Sequence, residues 1–214
     1  MGANLFPAFI KLANRPCLVV GAGEIASSKI ASLLDAGARV TVVALRATPQ
    51  VQALAAAGRI HWIRGEFRAA DLDGIFLAIA ATSASDVNRA VFLEAQRRNI
   101  LCNAVDDPPN CGFYFPAVVR RGKLQIAIST SGESPSLAQR LRIELEKTLD
   151  SSIGNWVAEI GNRRRAILAS QPPSDERKRL LQSLAYSGLT ERMPHIARRR
   201  ARKSSRNQRI RSER

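Results

Sequence analysis

Residues 17–48, CLVVGAGEIASSKIASLLDAGARVTVVALRAT, read as strand, glycine turn, helix and second strand in that order. The apolar run Cys17 to Val20 leads into Gly21-Ala22-Gly23-Glu24-Ile25-Ala26. This is a G-x-G-x-x-A turn in the strand-to-helix setting that a dinucleotide-binding fingerprint needs. Gly21 permits the tight turn out of the strand, Gly23 lets the backbone approach a pyrophosphate, and Ala26 lets the new helix pack on the sheet. The helix N-terminus at Glu24 and Ile25 turns free N–H groups toward the phosphates. Elsewhere the same glycines would serve only a tight turn; here the flanking strand and helix favour a cofactor site. The helix is predicted over 24–36, closed by Gly37, with a buried strand over Arg39 to Val43. One expected part is missing. A NAD unit usually places an Asp or Glu at the end of this second strand, roughly 20 residues past the turn. Val42-Val43-Ala44-Leu45-Arg46 has no acid, and Arg46 suits a 2′-phosphate, so these residues alone leave NAD and NADP open.

Outward from this unit, length and composition set bounds. A chain of 214 residues with 45% hydrophobic content accommodates one full-sized domain and a smaller one. Cys17, Cys102 and Cys111 show no C-x-x-C spacing and read as reduced thiols, which favours the cytoplasm. The N-terminal MGANLFPAFIKL lacks the charged start of a secretory signal, and no apolar run approaches the roughly 18 residues of a membrane helix. The net charge of +15 raises the question of nucleic acid, but its distribution answers differently. Arg192 to Arg214 holds ten Lys or Arg against the single acid Glu213. The tail reads as a disordered, solvated extension, and nucleic acid is not the expected partner.

Further along, Asn4 to Leu12 is expected to pack Leu5, Phe6, Phe9 and Ile10 against the sheet. A helix over 49–57 and a strand over 60–64 follow; His61 in that strand has no partner that would make it a metal ligand. The continuous apolar run Ile75 to Ala81 predicts a central parallel strand. Its carboxyl end should bring Ala81 and Thr82 beside the same cofactor as the fingerprint. Ser85 is read as the cap of a helix to about Arg98, and 100–105 as a fifth strand. That strand ends in Asp106-Asp107-Pro108-Pro109-Asn110. The aspartates suit a turn, yet Asp106 at a strand's carboxyl end also suits proton chemistry, and local sequence leaves both open. Thereafter the pattern changes. Strands over 113–119 and 124–129, joined by a basic turn Arg120-Arg121-Gly122-Lys123, predict a hairpin. Ser134-Pro135 opens an amphipathic helix with Leu137, Leu141, Leu145 and Leu149 on one face, and more helix runs through 156–168 and 174–186. The fold class is therefore α/β: a Rossmann-type parallel sheet over 1–112, a hairpin and helix over 113–150, a helical part over 151–190 and the basic tail over 191–214. The hairpin region lacks a large core of its own, which predicts a homodimer built on it.

These pieces in this order resemble a known family. VVGAGEIASSK, the AIAAT run followed by Val87-Asn88, CNAVDDP, FYFPAVVRRGKLQIAISTSGESPSLAQRLR and the helical end are similar to the dehydrogenase and chelatase part of sirohaem synthase, the precorrin-2 dehydrogenase family. The resemblance runs from about Phe6 to Ser187. It implies NAD-dependent oxidation of precorrin-2 to sirohydrochlorin and, in bifunctional members, insertion of ferrous iron to give sirohaem. It places the catalytic aspartate on Asp106 and NAD contacts on Gly21 to Ile25, on Leu45 and Arg46, and near Ala81 and Thr82. The family binds NAD without the usual acid, which makes Arg46 incidental to cofactor choice. A polycarboxylate tetrapyrrole calls for cations, and Arg120, Arg121, Lys123, Arg140 and Arg142 follow the cleft strand. No dedicated metal site is expected, so a chelatase step would also fall to Asp106. Fused relatives continue into a methyltransferase; here uroporphyrinogen-III methylation is expected from a separate protein. The competing reading is a NAD-binding sensor module without catalysis.

Overall fold

The computed structural model describes residues 4–186. The basic tail expected over 191–214, with His195, lies outside the described residues. The chain forms two compact units, Met1–Phe115 and Pro116–Arg214. The boundary thus falls at 115, against 112 from sequence, and the stretches divided at 150 share the second unit.

The first unit is built from β1 (Pro16–Val20), α1 (Glu24–Asp35), β2 (Arg39–Val43), α2 (Pro49–Ala56), β3 (His61–Ile63), β4 (Leu77–Ala80), α3 (Ser85–Arg97) and β5 (Leu101–Ala104). All five strands are parallel, in the order β3-β2-β1-β4-β5. Side chains alternate between the two faces of a strand, so a sheet covered on both sides needs apolar residues at every position. In β1, Cys17 and Val19 enter one core while Leu18 and Val20 enter the other. Likewise Leu77 and Ile79 of β4 share the first core, and Ala78 and Ala80 the second. Chain order reverses between β1 and β4, the switch point at which open α/β sheets bind ligands.

The helices of this unit close alike. The N–H of Ala38 reaches Leu33 O and that of Gly37 reaches Leu34 O, and Arg59 and Gly58 repeat the pattern on Leu54 and Ala55. At the end of α3 the left-handed position is filled by Asn99 (φ +56°), with Ile100 and Asn99 donating to Ala95 and Gln96. These are Schellman closures, and asparagine is the common substitute for glycine there. Two expectations fail. Ala84 stands at the N-cap of α3 and makes no side-chain bond, so Ser85 is the first helical residue and not the cap. Phe6, Phe9 and Ile10 stand 90%, 68% and 43% exposed rather than packed on the sheet; only Leu12 of this segment joins the core. No helix of the described residues is long and apolar enough to cross a membrane.

The second unit comprises β6 (Ala117–Arg121), β7 (Leu124–Ile128), α4 (Pro135–Thr148), α5 (Ser152–Ser170) and α6 (Asp175–Tyr186). The hairpin is antiparallel, with Arg121 opposite Leu124. Arg120 and Arg121 therefore lie in β6, and the turn is Gly122-Lys123 alone, because the left-handed Gly122 (φ +58°) reverses the chain without them. Ser134 caps α4 as expected, its hydroxyl accepting from the Leu137 N–H at 3.2 Å ahead of Pro135. The core is small: Val119, Leu149 and Ile153, flanked by Leu124, Ile126, Leu145 and Trp156. Of the expected leucine face, Leu145 and Leu149 reach this core while Leu137 and Leu141 stay half exposed. Gly154 permits the hairpin turn to rest on α5, since a Cβ there would lie 2.8 Å from Arg121 O.

Candidate functional site: a dinucleotide cleft and the end of strand β5

At the switch point a cleft of about 640 Å³ opens above the carboxyl ends of β1, β2 and β4. Gly21, Gly23, Leu45, Arg46, Ala81 and Thr82 all line it, so six residues singled out from sequence converge on one cavity. The reason is local. The N–H of Gly21 donates to Val43 O at 2.9 Å and that of Ala81 to Val20 O at 2.8 Å, which draws the ends of the three strands together. Gly21 has φ +105°, and a Cβ there would stand 2.3 Å from Ala81 O. Gly23 differs: a Cβ there would meet nothing of the chain within 4 Å. Gly23 is the N-cap of α1 and offers no side chain to the first-turn N–H groups. They are left for an anion, with Gly23 leaving room for its approach. The walls therefore fit a dinucleotide pyrophosphate. Ala26, fully buried, packs α1 on the sheet, and Glu24 and Ile25 are exposed on the first turn.

The loop after β2 is tied back to the fingerprint. The Thr48 N–H donates to Ala22 O at 3.0 Å, and its hydroxyl lies 3.0 Å from that of buried Ser27. Glu66, following β3, lines the cleft and is the one carboxylate among its lining residues, where β2 is followed by no acid. Sequence reasoning missed it by looking one strand too early. Opposite, Thr82 is fixed by Asn88. The buried Asn88 carboxamide accepts from the Thr82 N–H (3.0 Å) and hydroxyl (2.8 Å) and donates to Thr82 O (3.0 Å). Asn88→Ala removes the partner of the Thr82 N–H and carbonyl, while the hydroxyl keeps its bonds to Ala84, and is expected to destabilise the protein by about 2 kcal/mol and weaken dinucleotide binding several-fold. Thermal unfolding with a cofactor titration checks both.

Asp106 follows β5, which pairs with β4. It is exposed and left-handed, with φ +59°. Such backbones concentrate at functional positions, and aspartate tolerates this one better than most residues. Asp107 is committed to its own loop, accepting from Asn110 Nδ2 at 2.6 Å. The loop is held from β5 by buried Asn103, whose Nδ2 donates to Phe113 O (2.7 Å) and Cys111 Sγ (3.2 Å). Burial pushes the Cys102 thiol up to about 12 and Cys17 to about 11, so both are inert neutral thiols.

The five expected substrate cations all belong to the second unit and differ in their commitments. The Arg121 guanidinium donates to Leu149 O (3.0 Å), Glu146 O (3.1 Å) and Arg120 O (2.9 Å), closing the end of α4. Arg142 bonds Gln139 and Glu146, and Arg140 pairs with Glu144 at 3.0 Å. Arg120 and Lys123 are exposed, with no ion pair among the described residues.

Comparison with known proteins agrees with this geometry. Residues 8–117 match the family described as "Putative NAD(P)-binding", and residues 121–148 match the sirohaem biosynthesis protein central family. Sirohaem synthase 1 of Serratia proteamaculans (strain 568) is 46% identical over 162 residues, covering 76% of this chain and 34% of its own length. Sirohaem synthase 1 of Yersinia enterocolitica is 44% identical over 185 residues, covering 86% of this chain and 39% of that protein. The chain thus spans little more than a third of these curated relatives. The solved structure of SirC, a precorrin-2 dehydrogenase, superposes with a TM-score of 0.75 at 26% identity, covering 91% of this chain and 98% of that one. With its fingerprint cleft in the first matched segment, which spans more than half of the sequence, the chain belongs to the putative NAD(P)-binding family, and its hairpin and α4 carry the similarity to the central family of sirohaem biosynthesis proteins.

Proposed function

We propose that this protein is a precorrin-2 dehydrogenase that uses NAD to form sirohydrochlorin, and that it also inserts ferrous iron, its second substrate, to give sirohaem. The observation that carries the reading is the placement of Asp106 after β5, beside the strand whose end lines the dinucleotide cleft. When bound, NAD supplies the hydride acceptor. The chain's own residues do the rest. The backbone at Gly21 and Gly23 and the first turn of α1 hold the pyrophosphate. Glu66 offers a carboxylate to ribose hydroxyls and disfavours a 2′-phosphate, which supports NAD over NADP although Arg46 lines the same cleft. Oxidation also releases a proton, and the Asp106 carboxylate accepts it. Iron insertion displaces the pyrrole protons, for which Asp106 is again the base.

Arg120 and Lys123 are the cations of the hairpin that we assign to substrate carboxylates, because their side chains are not spent on ion pairs within the unit. The half-exposed Leu137, Leu141 and Ile143 of α4 fit burial against a second copy in a homodimer. Three free cysteines suit a reducing compartment, the cytoplasm. The test is anaerobic: enzymatically generated precorrin-2 and NAD are mixed with the protein, NADH is followed, and ferrous iron is then added. NADH formation followed by sirohaem faster than the uncatalysed rate is expected. NADH without faster iron insertion would remove the chelatase half, and bound NAD without NADH would leave a sensor module.

A further inference from the structure

Among the cations of the first unit, Lys29 stands apart. It lies on α1 between the buried Ala26 and Ile30, itself half-buried. Its ammonium sits 3.8 Å from the centroid of the Phe115 ring, the attractive face for a cation. Loss of hydration pulls its pKa below the ordinary lysine range, and the nearby Asp106 charge pulls it back up. Yet no carboxylate of the described residues comes within ion-pairing distance of it. Phe115 is edge-on to Phe113, with centroids 5.2 Å apart, and Phe113 O is held by Asn103. The platform under the ammonium is therefore fixed to β5, the strand that presents Asp106. Nor does Lys29 line the dinucleotide cleft, so the anion it lacks is not the cofactor's pyrophosphate.

We propose that Lys29 is a substrate anchor: its ammonium, seated on Phe115 beside Asp106, binds a carboxylate of the anionic tetrapyrrole. The inference rests on the precorrin-2 reading for the identity of the substrate. A partly dehydrated cation without an internal counter-ion binds an incoming carboxylate more strongly than a fully solvated surface lysine does. Its place on a helix packed against the sheet also gives it a fixed position, unlike Lys123 in the hairpin turn.

The test compares full-length wild type with Lys29→Gln, Lys29→Met and Lys29→Arg. For precorrin-2 oxidation, KM should rise about tenfold in the Gln and Met variants while kcat stays within about threefold, as loss of uniform binding requires. NAD affinity should hold, and Lys29→Arg should restore most of KM. A packing role would instead lower the unfolding temperature without a selective rise in KM. Unchanged KM in Lys29→Gln, with wild type turning over, overturns the proposal and leaves the dehydrogenase standing. If wild type fails to oxidise precorrin-2, quenching of tryptophan fluorescence by uroporphyrin, an unreactive polycarboxylate macrocycle, decides. Weaker binding by Lys29→Gln then retains the anchor without the dehydrogenase, and equal or absent binding overturns both.

Discussion

Gly21→Ala is expected to unfold the cofactor site, whereas Gly23→Ala is expected to leave the fold intact and spoil binding alone. The two glycines share a motif but not a reason. At Gly21 the backbone has φ +105°, and the added methyl would stand 2.3 Å from Ala81 O and 3.1 Å from Thr82 N. Both neighbours are backbone atoms of the adjoining strand's end, so neither can step aside without breaking the bonds that join β1 to β4. The combined strain and overlap should lower stability by about 3 kcal/mol or more, a shift of roughly 6–12 °C in Tm for a chain of this size. Dinucleotide affinity should fall at least about a hundredfold, since the cleft wall itself has moved. At Gly23 an added methyl meets nothing of the chain within 4 Å. It would occupy the space through which the pyrophosphate approaches α1. Unchanged Tm with about a tenfold weaker Kd is therefore expected there. Thermal unfolding and NAD titration on both variants check this, and equal effects at the two positions would contradict the geometry.

What could be read in advance, and what could not, follows from how far apart the determinants lie. β1, its glycine turn and α1 are adjacent in sequence, so fold and cleft declared themselves together. The same locality explains Ala81 and Thr82, which an uninterrupted apolar strand delivers to the switch point. Arg121 was misplaced for the opposite reason. A run of three basic residues around a glycine resembles a turn, but the left-handed Gly122 with Lys123 suffices, and the bonds that engage the guanidinium come from α4. Hydrophobicity misled at Phe6, Phe9 and Ile10, because burial needs a surface to pack on and composition alone does not supply one. Asn88 stood out only as part of a family pattern until its bonds to Thr82 gave it a role. Lys29 drew no attention at all. Its significance comes from Phe115 and Asp106, which only the folded sheet brings to it.

Asp106→Ala is expected to abolish oxidation of precorrin-2 while leaving cofactor binding alone, and the backbone supplies a control that few active sites offer. Asp106 is not part of the cleft wall, so NAD affinity should hold within about twofold. Loss of a positioned base should lower kcat about 10²–10⁴-fold, and Asp106→Asn, which keeps the shape and loses the basicity, should be nearly as poor. The left-handed φ of +59° separates this from a folding defect. A residue with a Cβ is mildly strained there and glycine is not, so Asp106→Gly should keep the unfolding temperature or raise it slightly while turnover vanishes. A turn-forming aspartate would give the reverse, with activity retained by Asn and Gly alike and stability set by the loop. Steady-state NADH production beside thermal unfolding for the three variants distinguishes the cases. Retained turnover in Asp106→Gly would show that the strained backbone is there for the loop and that the proton leaves by another route. Lost turnover with unchanged or higher Tm would mean that this position holds a carboxylate at the expense of stability, as expected of a base fixed at a strand end for chemistry.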